Sequence, residues 1–240
     1  LGVGLIIMIS YTFVEMSYLV FVAKKYTFRH TFSQPLRSFV FVQVLQTLII
    51  RFASVIGVAG FALAGNYLAP VELSNAWYIW PIGLLIYEFW YSVQHWAAHK
   101  VRLLWCIHSP HHAPDTINML IGTNHHFIEG LFYFPVFMGF LPALCGVPIE
   151  MILIINQVDM IWGSFLHISP KVVRGRYGFL ENFMQTPSYH RVHHAKNIRY
   201  LDTNYNAITQ FWDWALGTRE VLRDDEPVVY GITRNVDVER

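Results

Sequence analysis

Five stretches of the chain carry almost no charge and show neither the stripe of a surface helix nor the alternation of a half-buried strand: residues 3–22, 39–64, 77–95, 131–145 and 149–166. Apolar on every side, they are expected to be helices that are buried or immersed in lipid. A bilayer core of roughly 30 Å takes about 20 helical residues, so the first three are long enough to span it unaided. The last two are shorter, and only Gly146, Val147 and Pro148 separate them. They read as a tight helical hairpin, one that either spans the bilayer or stops short of the far leaflet. Polar, histidine-rich parts occupy 95–130 and 167–218. The expected fold class is therefore all-α: an integral membrane protein with transmembrane helical hairpins under a histidine-rich helical cap, in one domain over 1–240.

The basic residues orient this arrangement. Apart from Arg51, all Lys and Arg residues follow the first, third and fifth stretches, and the connections 65–76 and 146–148 hold none. By the positive-inside rule the cap faces the cytoplasm. Arg51 lies inside the second stretch, where an arginine needs a partner or a water-filled cavity, and Glu15 and Glu88 are the intramembrane candidates. A hydrophobic content of 54% with 14% charged residues agrees with a membrane protein rather than an ordinary soluble domain. The formal charge of +1 gives no reason to expect nucleic acid, and no phosphate-cradling glycine loop is present. Cys106 and Cys145 cannot form a disulfide framework. Leu1 already sits in a hydrophobic run, so the chain is expected to begin part-way through a longer protein.

Within this apolar chain, eleven of the 12 histidines fall between His95 and His194. Neutral imidazole is the commonest transition-metal ligand, which gives such crowding a chemical reading. His95 and His99 are four apart; His108, His111 and His112, and His190, His193 and His194, repeat one His-x-x-His-His spacing. Residues three and four apart share a helix face, so each cluster forms a chelating edge. The helix from Trp77 to His95 is about 27 Å long and delivers His95 to the cytoplasmic boundary, with His99 one turn beyond. Pro110 and Pro114 restrict the next cluster to a short helix or turn. His167 closes the fifth stretch at the same level. Eight clustered imidazoles plus His167 exceed what one ion of four to six ligands can use, so two metals are implied. Structural zinc is usually four-coordinate and often thiolate-bound, whereas this thiol-free array suits a pair of irons with open positions.

The three clusters, with Thr186-Pro-Ser-Tyr-His-Arg-Val-His-His194, Asp202-Thr-Asn-Tyr205 and Phe211-Trp-Asp213-Trp-Ala-Leu-Gly217-Thr218, resemble the fatty acid hydroxylase and sterol desaturase superfamily of membrane di-iron enzymes over residues 88–218. The tail, Glu226-Pro-Val-Val-Tyr230-Gly231, is most similar to the alkylglycerol monooxygenase-like branch. The resemblance implies non-haem iron, dioxygen and an external reductant, acting in hydroxylation or desaturation of lipids; the branch cleaves ether lipids after hydroxylating the carbon next to the ether oxygen. It carries His95, His99, His108, His111, His112, His190, His193 and His194 over as ligands, and His167 as a ninth. His126 matches a family His-Pro-x-Glu element, but with Phe127 in place of the proline. His125 reads as a polar boundary residue. Asn206 replaces a usual glycine and Asn124 a common arginine. Glu129, Asp159, Asp202 and Asp213 are expected to orient ligands through hydrogen bonds, each with a helix cap or surface charge as the competing reading.

The function expected is a membrane monooxygenase that hydroxylates a lipid C–H bond with O2, an ether lipid being one option for its substrate. Its electrons must come from outside, because no flavin, nicotinamide or haem motif is present; a cytochrome, a ferredoxin and a reduced pterin are the candidate donors. A lipid or sterol desaturase would use the same site. A metal-binding transporter or sensor is the alternative from another class, and it predicts polar residues through the spans.

Overall fold

The computed structural model describes residues 2–23 and 51–233, and every apolar stretch is helical as far as it is described. Helix α1, Gly2–Ser17, ends in a π turn at Tyr18–Val22. Helix α2 is Arg51–Leu68. The earlier part of the second stretch, the side chain of Arg51, and Lys24, Lys25, Arg29 and Arg37 lie outside the described residues. Helix α3, Trp80–Lys100, follows a 3-10 turn at Trp77–Ile79 and has Pro81 in its first turn, where a missing N–H leaves nothing unpaired. It runs past the end of the apolar stretch, so one continuous helix carries both His95 and His99. Helix α4 is Arg102–His112, α5 is Glu129–Leu144 and α6 is Ile149–Leu166. Two short helices complete the order, α7 at Pro187–His193 and α8 at Phe211–Ala215. Among the described residues there is no β-strand, only the isolated bridges Met184 to Thr209 and Ala195 to Tyr230.

Most of α5 is wound as π-helix, over Glu129–Tyr133 and Pro135–Phe140. Pro135 can donate no ladder bond and its ring would crowd the carbonyl one turn back, and the wider winding coincides with it. This helix lies against α2 with almost no side chain between the backbones. A Cβ on Gly139 would stand 2.5 Å from the Val58 carbonyl oxygen, and one on Gly65 2.5 Å from that of Phe140. Small residues permit such approach between apolar helices, where packing rather than water expulsion drives association. Gly139→Val is accordingly expected to destabilise the protein by about 1–3 kcal/mol through overpacking. A lowered thermal midpoint of the purified protein checks this, and an unchanged midpoint would contradict so close an apposition.

The core fills with Val58 and Ala62 from α2, Tyr87 from α3, Met138 from α5, and Met151, Ile152 and Ile155 from α6. Phe13, Phe52, Ile56, Leu63, Phe132, Ile154 and Val158 point outward instead and are exposed. By length and composition α6 is apolar enough to cross a membrane; Ile9–Val22, Phe52–Leu68 and Glu129–Leu144 are shorter apolar helices. The two carboxylates expected as partners for Arg51 are both engaged by backbone amides. Glu15 accepts from the N–H groups of Met119 and Ser169 at 2.7 and 2.5 Å, tying α1 to two loops of the histidine-rich region. Glu88 accepts from the N–H groups of Ile208 and Thr209 at 2.8 and 2.6 Å, and from the Thr209 hydroxyl.

Candidate metal centre

Helices α3, α4, α6 and α7 all bring imidazoles to one end of the helical core, and these gather into two groups. His95, His99, His108, His112 and His193 form the first; His111, His167, His190 and His194 form the second. Within each group the ligand atoms lie within 4.8 Å of one another. Each His-x-x-His-His cluster is divided between the groups, because residues four apart share a helix face while the third projects around the axis. Thus His108 and His112 enter the first group and His111 the second; His190 and His194 enter the second and His193 the first. The groups adjoin, with the rings of His112 and His194 stacked at 4.3 Å between centroids.

Hydrogen bonds from behind fix how several rings face. His95 Nδ1 donates to the Tyr205 carbonyl at 2.9 Å, His193 Nδ1 to that of Thr203 at 2.8 Å, and His167 Nδ1 to that of Gly163 at 2.6 Å. A carbonyl can only accept, so Nδ1 carries the hydrogen and Nε2 keeps the lone pair that a metal requires. His108 Nδ1 stands 2.6 Å from Glu129 Oε1, within a carboxylate that is fully buried. His99 Nδ1 lies 3.7 Å from Asp202 Oδ1, whose partner oxygen holds Lys100 Nζ at 2.5 Å.

The Nε2 atoms test whether a metal fits. In the second group His167 Nε2 stands 2.9 Å from that of His190 and 3.2 Å from those of His111 and His194, and the His190 to His194 separation is 3.1 Å. An ion about 2.0–2.1 Å from each nitrogen spaces neighbouring donors roughly 3.0 Å apart in an octahedron and roughly 3.4 Å in a tetrahedron, the range observed here. In the first group the Nε2 atoms of His95, His99 and His193 are buried without a hydrogen-bond partner. Buried polar atoms left unpaired are costly and rare, and a cation among these lone pairs satisfies all three. Protonation does not compete at neutral pH. Burial first, and repulsion among neighbouring imidazoles second, hold His99, His111, His112, His190 and His194 well below the usual 6.5. Burial pushes His193 down to about 4, against the opposing pull of the Thr203 carbonyl. These six rings are therefore neutral donors, and nitrogen sets of this kind suit iron, copper, nickel and zinc.

Residues 80–218, more than half of the chain, match the family model for fatty acid hydroxylase. The chain belongs to the fatty acid hydroxylase family. Among its relatives, the alkylglycerol monooxygenase of Xenopus tropicalis is 28% identical over 186 residues, which cover 75% of this chain and 39% of that protein. The human alkylglycerol monooxygenase is 28% identical over 172 residues, 70% of this chain and 35% of that protein. An ornithine lipid hydroxylase of Rhizobium tropici is 32% identical over 180 residues, 70% of this chain and 53% of that protein. The chain thus spans well under half the length of the alkylglycerol monooxygenases it matches. No solved structure matches it.

All nine histidines of the two groups lie within the region that matches the family model. His126 stands outside both groups; its Nδ1 accepts from the Ile128 N–H at 3.3 Å and its ring stacks on Phe127. Its neighbour His125 takes the inner position, stacked on His111 at 4.3 Å with Nδ1 3.2 Å from Glu129 Oε2. Glu129 therefore bridges His108 and His125. Asp213 touches no group member directly, yet accepts from the N–H groups of Tyr205 and Asn206 at 2.7 and 2.8 Å and so shapes the loop behind His95 and His193. Asn204 holds the same loop from within, donating to the carbonyls of Tyr189 and Glu220 at a backbone φ of 55°. Asp159 accepts from the Tyr87 hydroxyl at 3.0 Å, well inside the helical core. Both family departures are accommodated: Asn206 accepts from Ser92 Oγ at 2.8 Å, and Asn124 donates to the Pro110 carbonyl at 2.7 Å. The tail braces the chain leaving His194, through the Lys196 N–H to Val229 carbonyl bond at 2.8 Å.

Two cavities reach the imidazoles from different sides. The inner one has a void of about 890 Å³, counting the space open at its mouth; it is lined by His95, His108, His111, His167 and His190 and by the apolar Val55, Phe134, Met138 and Met160. The outer one is bounded by His99, His112, His193, Trp105, Lys196 and Asp202.

Proposed function

We propose that this chain is the catalytic part of a membrane-bound di-iron monooxygenase that hydroxylates a C–H bond of a lipid with O2. The observation that carries the reading is the convergence of two imidazole groups beside a cavity that is also lined by apolar side chains of the helices. His95, His99, His108, His112 and His193 would hold one iron and His111, His167, His190 and His194 the other. Irons bound there would supply the reduction of dioxygen and an oxidant strong enough to take hydrogen from an unactivated C–H bond. The protein's own contribution is to keep the rings neutral and aimed, and to bury the reacting carbon away from water.

The bilayer fits around the helices whose outward side chains are exposed and apolar, Phe13, Phe52, Ile56, Phe132 and Ile154 among them. Trp77, Tyr67 and Tyr78, all exposed at the end away from the imidazoles, suit the aromatic belt of the opposite interface. Helical hairpins then cross the membrane with the histidine cap on the cytoplasmic side, a placement supported by the distribution of basic residues, in one domain over 1–240. A lipid enters the inner cavity laterally; the alkylglycerol monooxygenases and the ornithine lipid hydroxylase among the relatives favour a lipid substrate. Electrons arrive from a cytochrome, a ferredoxin or a reduced pterin.

The test is turnover under 18O2 with the purified, iron-loaded protein in membranes supplied with reductant. One labelled oxygen atom is expected in the lipid product. Loss of hydrogen without label would instead make the protein a desaturase, and absence of both bound iron and oxygen uptake would favour the transporter or sensor.

A further inference from the structure

The inner cavity is more than a slot for hydrocarbon. On α6 the wall climbs from Asn156 through Asp159 and Ser164 to His167 at the helix C-cap, about 16 Å of helix. Across from it α3 contributes Gln94, beside His95. Polar groups at membrane depth face cavities and mark the paths of substrates. Two of these have their needs met: Asn156 Nδ2 donates to the Tyr87 hydroxyl at 3.0 Å, and that hydroxyl donates to Asp159 Oδ2 at 3.0 Å. Gln94 and Ser164 differ. Each residue is only 2% exposed, yet the Gln94 Nε2 and the Ser164 Oγ have no hydrogen-bond partner. A pure hydrocarbon in the cavity would leave both unpaired, at the full desolvation penalty of a buried donor. An oxygen atom in the substrate would satisfy them.

The charge of that oxygen follows from the remaining wall. No lysine or arginine lines the cavity among the described residues, and the Asp159 carboxylate does. A phosphate or carboxylate would meet a like charge and no counter-charge, so the cavity suits an uncharged oxygen. We propose that Gln94 and Ser164 position the substrate by donating hydrogen bonds to an ether oxygen in the lipid backbone, placing the adjacent carbon against the wall formed by His95, His111 and His167. This rests on the lipid monooxygenase reading and adds to it the residues that choose which carbon is presented.

Equilibrium binding to the iron-loaded protein tests the pair, with tritiated 1-O-hexadecylglycerol and its carba analogue icosane-1,2-diol, in which CH2 replaces the ether oxygen. Wild type is expected to bind the ether about tenfold more tightly, since the analogue leaves the Gln94 donor buried and unpaired. Gln94→Met keeps the side chain's length, removes its amide, and should erase that preference at unchanged iron content. Ser164→Ala deletes an unpartnered hydroxyl and should reduce the preference several-fold. Equal binding of both probes by wild type would overturn the proposal and leave the monooxygenase reading standing, as would a preference that survives Gln94→Met. If neither probe binds a protein of full iron content, the lipid reading falls together with the proposal. The wild-type comparison decides the matter even if the Gln94 variant fails to fold.

Discussion

Replacing His193 by alanine is expected to abolish turnover while lowering bound iron from about two per chain to about one, and His111→Ala is expected to do the same at the other group. The two variants differ in which iron they lose, because His193 belongs to the five-imidazole group and His111 to the four-imidazole group. Removing a ligand should cost more than the roughly 10–100-fold in metal affinity typical of losing a partner behind a ligand. The His126→Ala variant is the matched control, since that ring contacts Phe127 and belongs to neither group. Iron analysis with Mössbauer spectra, which count inequivalent irons, reads out the result. Full iron in both the His193 and His111 variants would refute the assignment of these groups as metal sites.

Substitution of Glu129 by glutamine should lower turnover or iron affinity by about 10–100-fold without unfolding the protein. The carboxylate is fully buried, with one oxygen 2.6 Å from His108 Nδ1 and the other 3.2 Å from His125 Nδ1. Glutamine preserves its shape, but one acceptor becomes a donor, so an N–H must face either the His108 or the His125 N–H. That conflict frees the ring to change tautomer or to turn, and the His108 Nε2 loses its aim. Steady-state kinetics alongside iron content check the outcome. Wild-type values for both would show that Glu129 does not orient His108.

The histidine pairs were legible in the sequence because helical periodicity is local: His95 with His99, His108 with His112, and His190 with His194 each fall in the same group through a spacing of four. Their division between two groups was not legible. It depends on how α3, α4 and α7 are placed relative to one another, which no short-range pattern encodes. That His125 rather than His126 lies beside Glu129 and His111 was not legible for a related reason, since adjacent residues project in different directions and only the position of Glu129 and His111 decides which ring turns inward. Asp159 stands out in the sequence by its charge, but Asn156, one turn before it, and Ser164 do not, because their stretch reads as apolar overall and an uncharged polar residue within it carries no signal of its own. The carbonyls of Tyr205, Thr203 and Gly163 leave no trace in residue identity, because every residue has one. Only the unusual run Asp202-Thr-Asn-Tyr205 pointed to that loop.

Those carbonyls bear on how the protein can diverge. An oxygen of the main chain survives any change of letter, so position 203 can vary widely among descendants of this chain while the His193 ring stays anchored. Its place along the thread is another matter. Thr203 and Tyr205 are two residues apart and serve imidazoles from different helices, so inserting or deleting a single residue between Tyr200 and Thr203 would shift both anchors at once, and one between Thr203 and Tyr205 would break their spacing. Drift in this loop is therefore free in spelling and frozen in length.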